Sequence, residues 1–260
     1  MSRRRIFAIV FALVAIFASR FVRDRGDDPP GDTATATAPA DNPGYKATVQ
    51  EGLGASVAIL LDNSGSMKDK TESGSRQAKA TIARDVLEQV LSQTEAFVVR
   101  QPGFPVNVGL YTFNSDVEKV LPIGPYDRAT LKRALESLPA PKGGTAIGEA
   151  MDVAAVDLYS AGTIRKYILV VTDGENTSGA DPAEVAAKIE RMSEGAVRLL
   201  LVAFDVDRKR FDFVSAVNGV LVAARDGIAL RASLDTLYRG KILAEAIDAG
   251  ETQPDTIPRK

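Results

Sequence analysis

Two continuous apolar runs that each end in an aspartate constrain the fold of this chain most strongly. Residues 56–62 read SVAILLD and residues 167–173 read YILVVTD. Consecutive apolar residues over this length are typical of strands that are buried on both faces, whereas a strand with one wet face alternates apolar and polar residues. The chain should therefore contain a sheet that is covered by helices on both sides.

Stretches with helical periodicity alternate with the apolar runs. In the first of them, Ile82, Val86 and Val90 recur at helical spacing and form one apolar stripe. The tripeptide NSD separates the apolar runs 106–113 and 117–123, which indicates a hairpin and hence one antiparallel strand. The pattern predicts an α/β fold with a doubly wound, mostly parallel central sheet, one antiparallel edge strand and helices on both faces.

Oxygen-bearing side chains follow the two apolar runs. Asp62, Ser64 and Ser66 occupy alternate positions in DNSGS, Thr145 follows a glycine pair, and Asp173 ends the second run. Ligands of doubly wound sheets bind at the carboxyl ends of the strands, near the point where the strand order reverses. These five side chains should therefore converge on one crevice, where two carboxylates and three hydroxyls suit a hard divalent cation such as Mg²⁺.

The sequence contains no histidine and no cysteine. This composition excludes zinc sites of the histidine and cysteine type, cysteine nucleophiles and Ser-His-Asp triads. Any metal ion in this protein must be held by oxygen.

Each of these polar residues also has a simpler explanation. DNSGS could be a turn that ends a strand, Thr145 could cap a helix that begins at Ala146, and Asp173 could be a turn acid. Asp205 and Asp207 follow another apolar run and could form a second acidic cluster, although Asp207 is well placed to cap the next helix.

The three motifs together resemble the metal-ion-dependent adhesion site of the von Willebrand factor type A domain family. The similarity lies in DNSGS, in the threonine of GGTAIGEAM and in the aspartate of VVTDGEN, in the family's order and spacing. The resemblance implies that Ser64, Ser66 and Thr145 bind the metal ion directly. It implies that Asp62 and Asp173 act through bound water or as anchors that hold the direct ligands in place. It also implies that the ion, either Mg²⁺ or Mn²⁺, accepts a carboxylate from a protein partner.

The ends of the chain differ in composition from its centre. MSRRR precedes an apolar run at 6–18, which as a helix would span roughly 20 Å, less than a bilayer core of about 30 Å. We interpret residues 1–22 as an export signal or a membrane anchor, both of which remain open, with the body of the protein on the extracytoplasmic side. Residues 23–51 are predicted to be a flexible tether, 52–248 the folded domain and 249–260 a disordered tail.

Three functions are compatible with this organisation. The first is an exported, membrane-tethered module that binds a protein through Mg²⁺, and the second is a non-catalytic subunit of a larger envelope or AAA+-linked assembly. A metal-assisted hydrolase is disfavoured because Glu175 is the only acid near the motifs that could serve as a base. The net charge of −2 and the absence of phosphate-binding glycine motifs argue against nucleic acid and nucleotide partners.

Overall fold

Six β-strands form one sheet in the part of the chain that the structure describes, residues 51–244 of a computed structural model. The strands are β1 Gly52–Asp62, β2 Val106–Phe113, β3 Val117–Pro125, β4 Thr163–Thr172, β5 Val197–Phe204 and β6 Val220–Ala224. Their order is β3-β2-β1-β4-β5-β6, and only the edge strand β3 runs antiparallel to its neighbour. The predicted fold class, including the antiparallel edge strand, is confirmed.

Six α-helices connect or flank the strands within residues 51–244. They are α1 Lys79–Arg100, α2 Arg128–Glu136, α3 Ile147–Tyr159, α4 Pro182–Ser193, α5 Phe213–Ala216 and α6 Gly227–Leu237. Short 3₁₀ segments occur at Gly65–Lys68 and Arg208–Phe211, and a π-helical segment at Tyr238–Leu243 continues α6.

The sheet is buried between two layers of helices, which explains the continuous apolar runs. Successive residues of β1 point to opposite faces: Ile59 packs with α1 and α6 on one face, whereas Leu60 packs with α3 and α4 on the other. Both side chains are fully buried. A strand in this position is apolar at nearly every residue, because neither of its faces meets water.

Local capping residues set several helix boundaries. The Asp127 side chain accepts the amide of Thr130 at the start of α2, and Asp181 accepts the amides at the start of α4. Asp207 accepts the amide of Lys209 at 3.0 Å. The prediction that Asp207 caps the following helical segment is therefore confirmed.

The alternative in which Thr145 caps a helix is wrong. Helix α3 begins at Ile147, and its N-cap residue, Ala146, has no side chain that could cap it. The side-chain oxygen of Asn176 instead accepts the amides of Ile147 at 2.8 Å and Gly148 at 3.4 Å. A loop that lies far away in sequence supplies the cap, so the Thr145 hydroxyl is not needed for this purpose.

The strand order reverses between β1 and β4. From β1 the chain moves to β2 and β3 on one side, and then returns to place β4 on the other side of β1. The two strands are parallel and in register from Ala55↔Arg165 to Leu61↔Val171. Their carboxyl ends are therefore adjacent, and the residues that follow them face one edge of the sheet.

The predictions for the two ends of the chain fall outside the described residues. The signal or anchor at 1–22, almost all of the tether at 23–51, and the tail at 249–260 remain predictions, as does the C-terminal boundary of the domain at 248. None of the helices within residues 51–244 combines the length and apolar character needed to cross a membrane.

Candidate metal site

Asp62 is the buried anchor at the end of β1. The residue is only 1% exposed. One carboxylate oxygen accepts the amide of Ser64 at 2.7 Å, and the other accepts the hydroxyl of Thr172 at 2.6 Å. Asp62 therefore fixes the turn that follows β1 and ties it to the last residue of β4.

Two serines and Asp173 form a hydrogen-bonded row beside this anchor. The Ser66 hydroxyl donates to Asp173 Oδ1 at 2.7 Å, and the Oγ atoms of Ser64 and Ser66 are 3.1 Å apart. Because Ser66 has a single hydroxyl proton and donates it to Asp173, Ser64 must be the donor between the two serines. The predicted residues of the first and third motifs are thus brought together across more than a hundred positions of sequence.

Thr145 faces the same crevice across Gly174. A methyl group built on Gly174 would lie 3.8 Å from Thr145 Oγ1 and 3.9 Å from Ser66 Oγ. Both hydroxyl oxygens therefore border the small space that the missing side chain of Gly174 leaves open. All five residues predicted from the sequence are located at this edge of the sheet.

The backbone around Thr145 is held in place from several sides. The Gly65 amide donates to the Gly143 carbonyl at 3.0 Å, and the Thr145 amide donates to Thr177 Oγ1 at 2.8 Å. Gly143 has φ +73°, a conformation that favours glycine, and a side chain on Gly144 would lie 2.7 Å from Thr177 Oγ1. The glycine pair is thus required by the close approach of three loops.

Lys79 is a component of the site that the sequence reasoning missed. Its ammonium lies 3.1 Å from Asp173 Oδ2 and 3.2 Å from Asp205 Oδ2, and the residue is only 8% exposed. Burial acts to lower the pKa of Lys79, but the charges and hydrogen bonds of Asp173 and Asp205 outweigh this effect and raise it. Lys79 lies one helical turn before Ile82 and Ala83, so a lysine on the apolar stripe of α1 was the available signal.

The prediction that Asp205 and Asp207 could form a second acidic cluster is wrong. Asp205 does not pair with Asp207 in a separate site but accepts Lys79 and the amide of Glu72 at 3.1 Å. Asp207 serves as a cap instead. The acid at the end of β5 is therefore part of the surroundings of Asp173.

The donor set fits a hard divalent cation. Hydroxyl oxygens of Ser64, Ser66 and Thr145 border one crevice, and two carboxylates stand behind them. Within residues 51–244, no group of three or more acidic side chains is arranged to hold a metal ion by itself. A cation at this edge would therefore depend on the hydroxyls, which are ligands that Mg²⁺ accepts together with water.

Burial has a measurable electrostatic consequence at Asp62. Desolvation raises the pKa of Asp62 to about 6, although hydrogen bonds from Thr172 and Ser64 oppose the rise. The folded protein then binds this proton more tightly than the unfolded chain does. The stability that Asp62 contributes is complete below about pH 4 and is lost as the pH rises through about 6.

The raised pKa of Asp62 leads to a testable prediction for the stability of the metal-free protein. In the presence of EDTA, Asp62→Asn should stabilise the fold relative to the parent by roughly 3 kcal/mol at pH 7.5, because a shift of about 2 pKa units corresponds to that free energy. The advantage should shrink to roughly 1 kcal/mol near pH 4.5 and towards zero below about pH 4. Asparagine can still accept the Ser64 amide, so the variant retains the turn. Urea unfolding of both proteins at several pH values measures the difference, and a pH-independent difference would contradict the prediction.

Comparisons with known proteins agree with the fold. The family model described as von Willebrand factor type A domain matches residues 57–175. The uncharacterized protein YwmD of Bacillus subtilis (strain 168) is 30% identical over 162 residues, which are 59% of this chain and 69% of YwmD. The chain belongs to the von Willebrand factor type A domain family.

Solved structures share the fold at low sequence identity. BatB from Bacteroides thetaiotaomicron superposes with a TM-score of 0.56 at 21% identity, over 74% of this chain and 100% of BatB. The PilB minor pilin from Streptococcus sanguinis gives 0.60 at 14%, over 75% of this chain and 63% of PilB. The proximal thread matrix protein 1 of the mussel byssus, solved with a zinc-occupied MIDAS motif, gives 0.56 at 16%, over 75% of this chain and 49% of that protein. The chain thus spans less than two thirds of the latter two proteins.

Proposed function

We propose that this domain binds Mg²⁺ through Ser64, Ser66 and Thr145 and uses the ion to hold a carboxylate of a protein partner. The observation that carries the proposal is that every oxygen of the two carboxylates already has a hydrogen-bond donor within the protein. Both oxygens of Asp62 and both oxygens of Asp173 already accept hydrogen bonds from the protein. The hydroxyl oxygens are therefore the groups most readily offered to a cation.

Because the proposed ligands are neutral hydroxyls, a bound ion would keep most of its positive charge. When bound, it supplies a concentrated positive charge that attracts an anionic ligand. Asp62 and Asp173 keep the serines oriented and provide negative charge from behind the hydroxyls, directly or through water. Because hydroxyls do not neutralise a dication, the charge remains available to a partner's carboxylate. Mn²⁺ prefers the same oxygen donors and should substitute.

The proposed role is binding and not catalysis. The chain has no histidine or cysteine, and Glu175, the acid nearest in sequence to the motifs, forms an ion pair with Arg210 at the surface. Glu175 is thereby engaged with Arg210 and is not offered as a base to a water molecule at the hydroxyls.

We also propose that the domain is exported and tethered to a membrane by residues 1–22. The arginines followed by an apolar run support this placement. Structural relatives with the same fold include an aerotolerance-related membrane protein from Bacteroides fragilis and the PilB minor pilin. A domain outside the cytoplasm would meet its protein partner at the cell envelope.

A capture experiment tests the proposed function. The immobilised chain should retain a protein partner from an envelope extract of the source cells in the presence of Mg²⁺, and EDTA should release it. Thr145→Val preserves the shape of the side chain but removes one proposed ligand, so we expect at least a roughly tenfold loss of captured partner, equivalent to about 1.4 kcal/mol.

The matched control is Thr236→Val. The Thr236 hydroxyl is exposed on α6 and donates only to the carbonyl of Ala232 in its own helix. This variant should capture the partner as the parent does. Capture that persists in EDTA, or that Thr145→Val leaves unchanged, would contradict a partner held through the metal ion.

A further inference from the structure

Lys79 places a positive charge next to the proposed metal site. Its ammonium contacts Asp173 Oδ2, while the Ser66 hydroxyl contacts Asp173 Oδ1. We infer that Lys79 is a built-in counter-cation that keeps Asp173 in its anchoring role and limits the affinity of the site for divalent cations. The inference rests on the proposed function, and it identifies Lys79 as a positioning residue that tunes the site.

The location of Lys79 is costly for the helix to which it belongs. It is the first residue of α1, and a cation at the N-terminus of a helix opposes the helix dipole. Burial of the ammonium adds a desolvation cost, which only close partner charges can offset. Asp173 and Asp205 supply those charges, so this lysine is explained by the acids at the ends of β4 and β5 and not by the needs of α1.

The charge balance indicates what the lysine does for the site. Two carboxylates, those of Asp173 and Asp205, contact the ammonium, and a third, that of Asp62, lies close enough to Asp173 for the two charges to interact. Three negative charges and one positive charge leave a net charge of two negative charges behind the hydroxyls. Without Lys79, the same cluster would carry three negative charges and attract a dication more strongly.

The hydrogen bonds of Asp173 also indicate that Lys79 limits the affinity of the site for a cation. Lys79 and Ser66 each occupy one of its two oxygens, so the carboxylate has no oxygen left without a protein donor. Removal of the ammonium would release Oδ2 while Oδ1 still accepts Ser66. A released carboxylate can contribute more directly to cation binding, which would leave less positive charge for an external carboxylate.

Lys79→Met tests the inference, because methionine keeps the length of the apolar stem and removes the charge. In titration calorimetry with Mn²⁺ on the full chain, we expect Lys79→Met to lower the Kd about tenfold relative to the parent. The reason is that the variant lacks the ammonium, whose positive charge repels the cation. The affinity of the Mn²⁺-loaded variant for acetate should fall. Lys188→Met, which removes an exposed lysine paired with Asp152, should leave both constants unchanged.

A second pair of variants covers the case in which Lys79→Met does not fold. Asp205→Asn can still accept the Glu72 amide and removes one of the two acids that face the lysine. Lys79→Met combined with Asp205→Asn should bind Mn²⁺ about tenfold more tightly than Asp205→Asn alone, because only the lysine charge differs.

The outcomes separate this inference from the proposed function. An equal or weaker Mn²⁺ affinity without the lysine charge, in a parent that binds Mn²⁺ saturably, overturns the role of Lys79 and leaves the metal site intact. Failure of the parent itself to bind Mn²⁺ saturably overturns the proposed function, and the inference with it.

Discussion

Replacement of both Ser64 and Ser66 by alanine is expected to abolish saturable Mg²⁺ binding. The double change removes two of the three hydroxyls at the crevice and the donor that orients Asp173. At a Mg²⁺ concentration of about 100 times its Kd, binding should stabilise the parent by about 2.7 kcal/mol. This corresponds to a rise in Tm of roughly 5–11 °C for a domain of this size, and the rise should be absent in the double variant.

A second double variant controls for the loss of two hydroxyls. Ser92→Ala with Ser137→Ala removes two hydroxyls that donate only to carbonyls three residues earlier, those of Gln89 in α1 and Ala134 in α2. Its Tm should rise with Mg²⁺ as the parent's does. The metal site is contradicted if the Tm of the parent does not respond to Mg²⁺, or if the Ser64 and Ser66 variant responds equally.

Gly148→Ala should cause a large loss of stability, although alanine is usually the better helix former. Gly148 lies in the first turn of α3, and a side chain there would overlap the carbonyl oxygen of Ala180 and lie 2.9 Å from its carbonyl carbon. Backbone cannot rotate away as a side chain can, so the loop or the helix must shift. We expect a loss of about 3 kcal/mol, and a drop in Tm of roughly 6–12 °C.

Gly240→Ala is the matched control on another helical segment. Gly240 is exposed, and a side chain there would meet nothing within 4 Å. Alanine should therefore stabilise the protein by about 0.5–1 kcal/mol, as the difference in helix propensity predicts. Thermal unfolding of the two variants measures both effects. Equal Tm changes for the two would show that the approach of the 174–181 loop to α3 is not a tight contact.

The effect of Gly148→Ala should extend to the metal site. The loop that contacts Gly148 also carries Asn176, which caps α3, and Thr177, which holds the backbone of Thr145. A shift of this loop would move Thr145 relative to the serines. Mg²⁺ binding should thus weaken in Gly148→Ala even at temperatures at which the variant is folded.

Much of the fold could be predicted because its signals are local. The apolar runs at 56–62 and 167–173 can be buried on both faces only within a helix-covered sheet, whichever partners they find. Asp127, Asp181 and Asp207 bond to amides two or three positions further along the chain. Such contacts depend on neighbouring residues, and a sequence displays them directly.

The site was only partly visible in this way. Asp62 and Asp173 could be placed at adjacent strand ends from the alternation of strands and helices, and Thr145 was assigned to the same crevice from the glycine pair that precedes it. The resemblance to a known family added which of these residues bind the ion directly. Neither source indicated that Asn176 caps α3 or that Lys79 faces two acids. Those contacts join residues 28 to 126 positions apart, and no periodicity records them.

The sequence by itself determined that the chain forms a covered α/β sheet, and that any metal ion must be held by oxygen, since strand burial and side-chain chemistry follow from residue types alone. Only the tertiary structure decided which oxygens are already occupied and that a buried ammonium stands behind Asp173. The physical reason is that hydrogen bonds and ion pairs depend on distances of about 3 Å, which are fixed only when the loops after β1, β4 and β5 pack against one another.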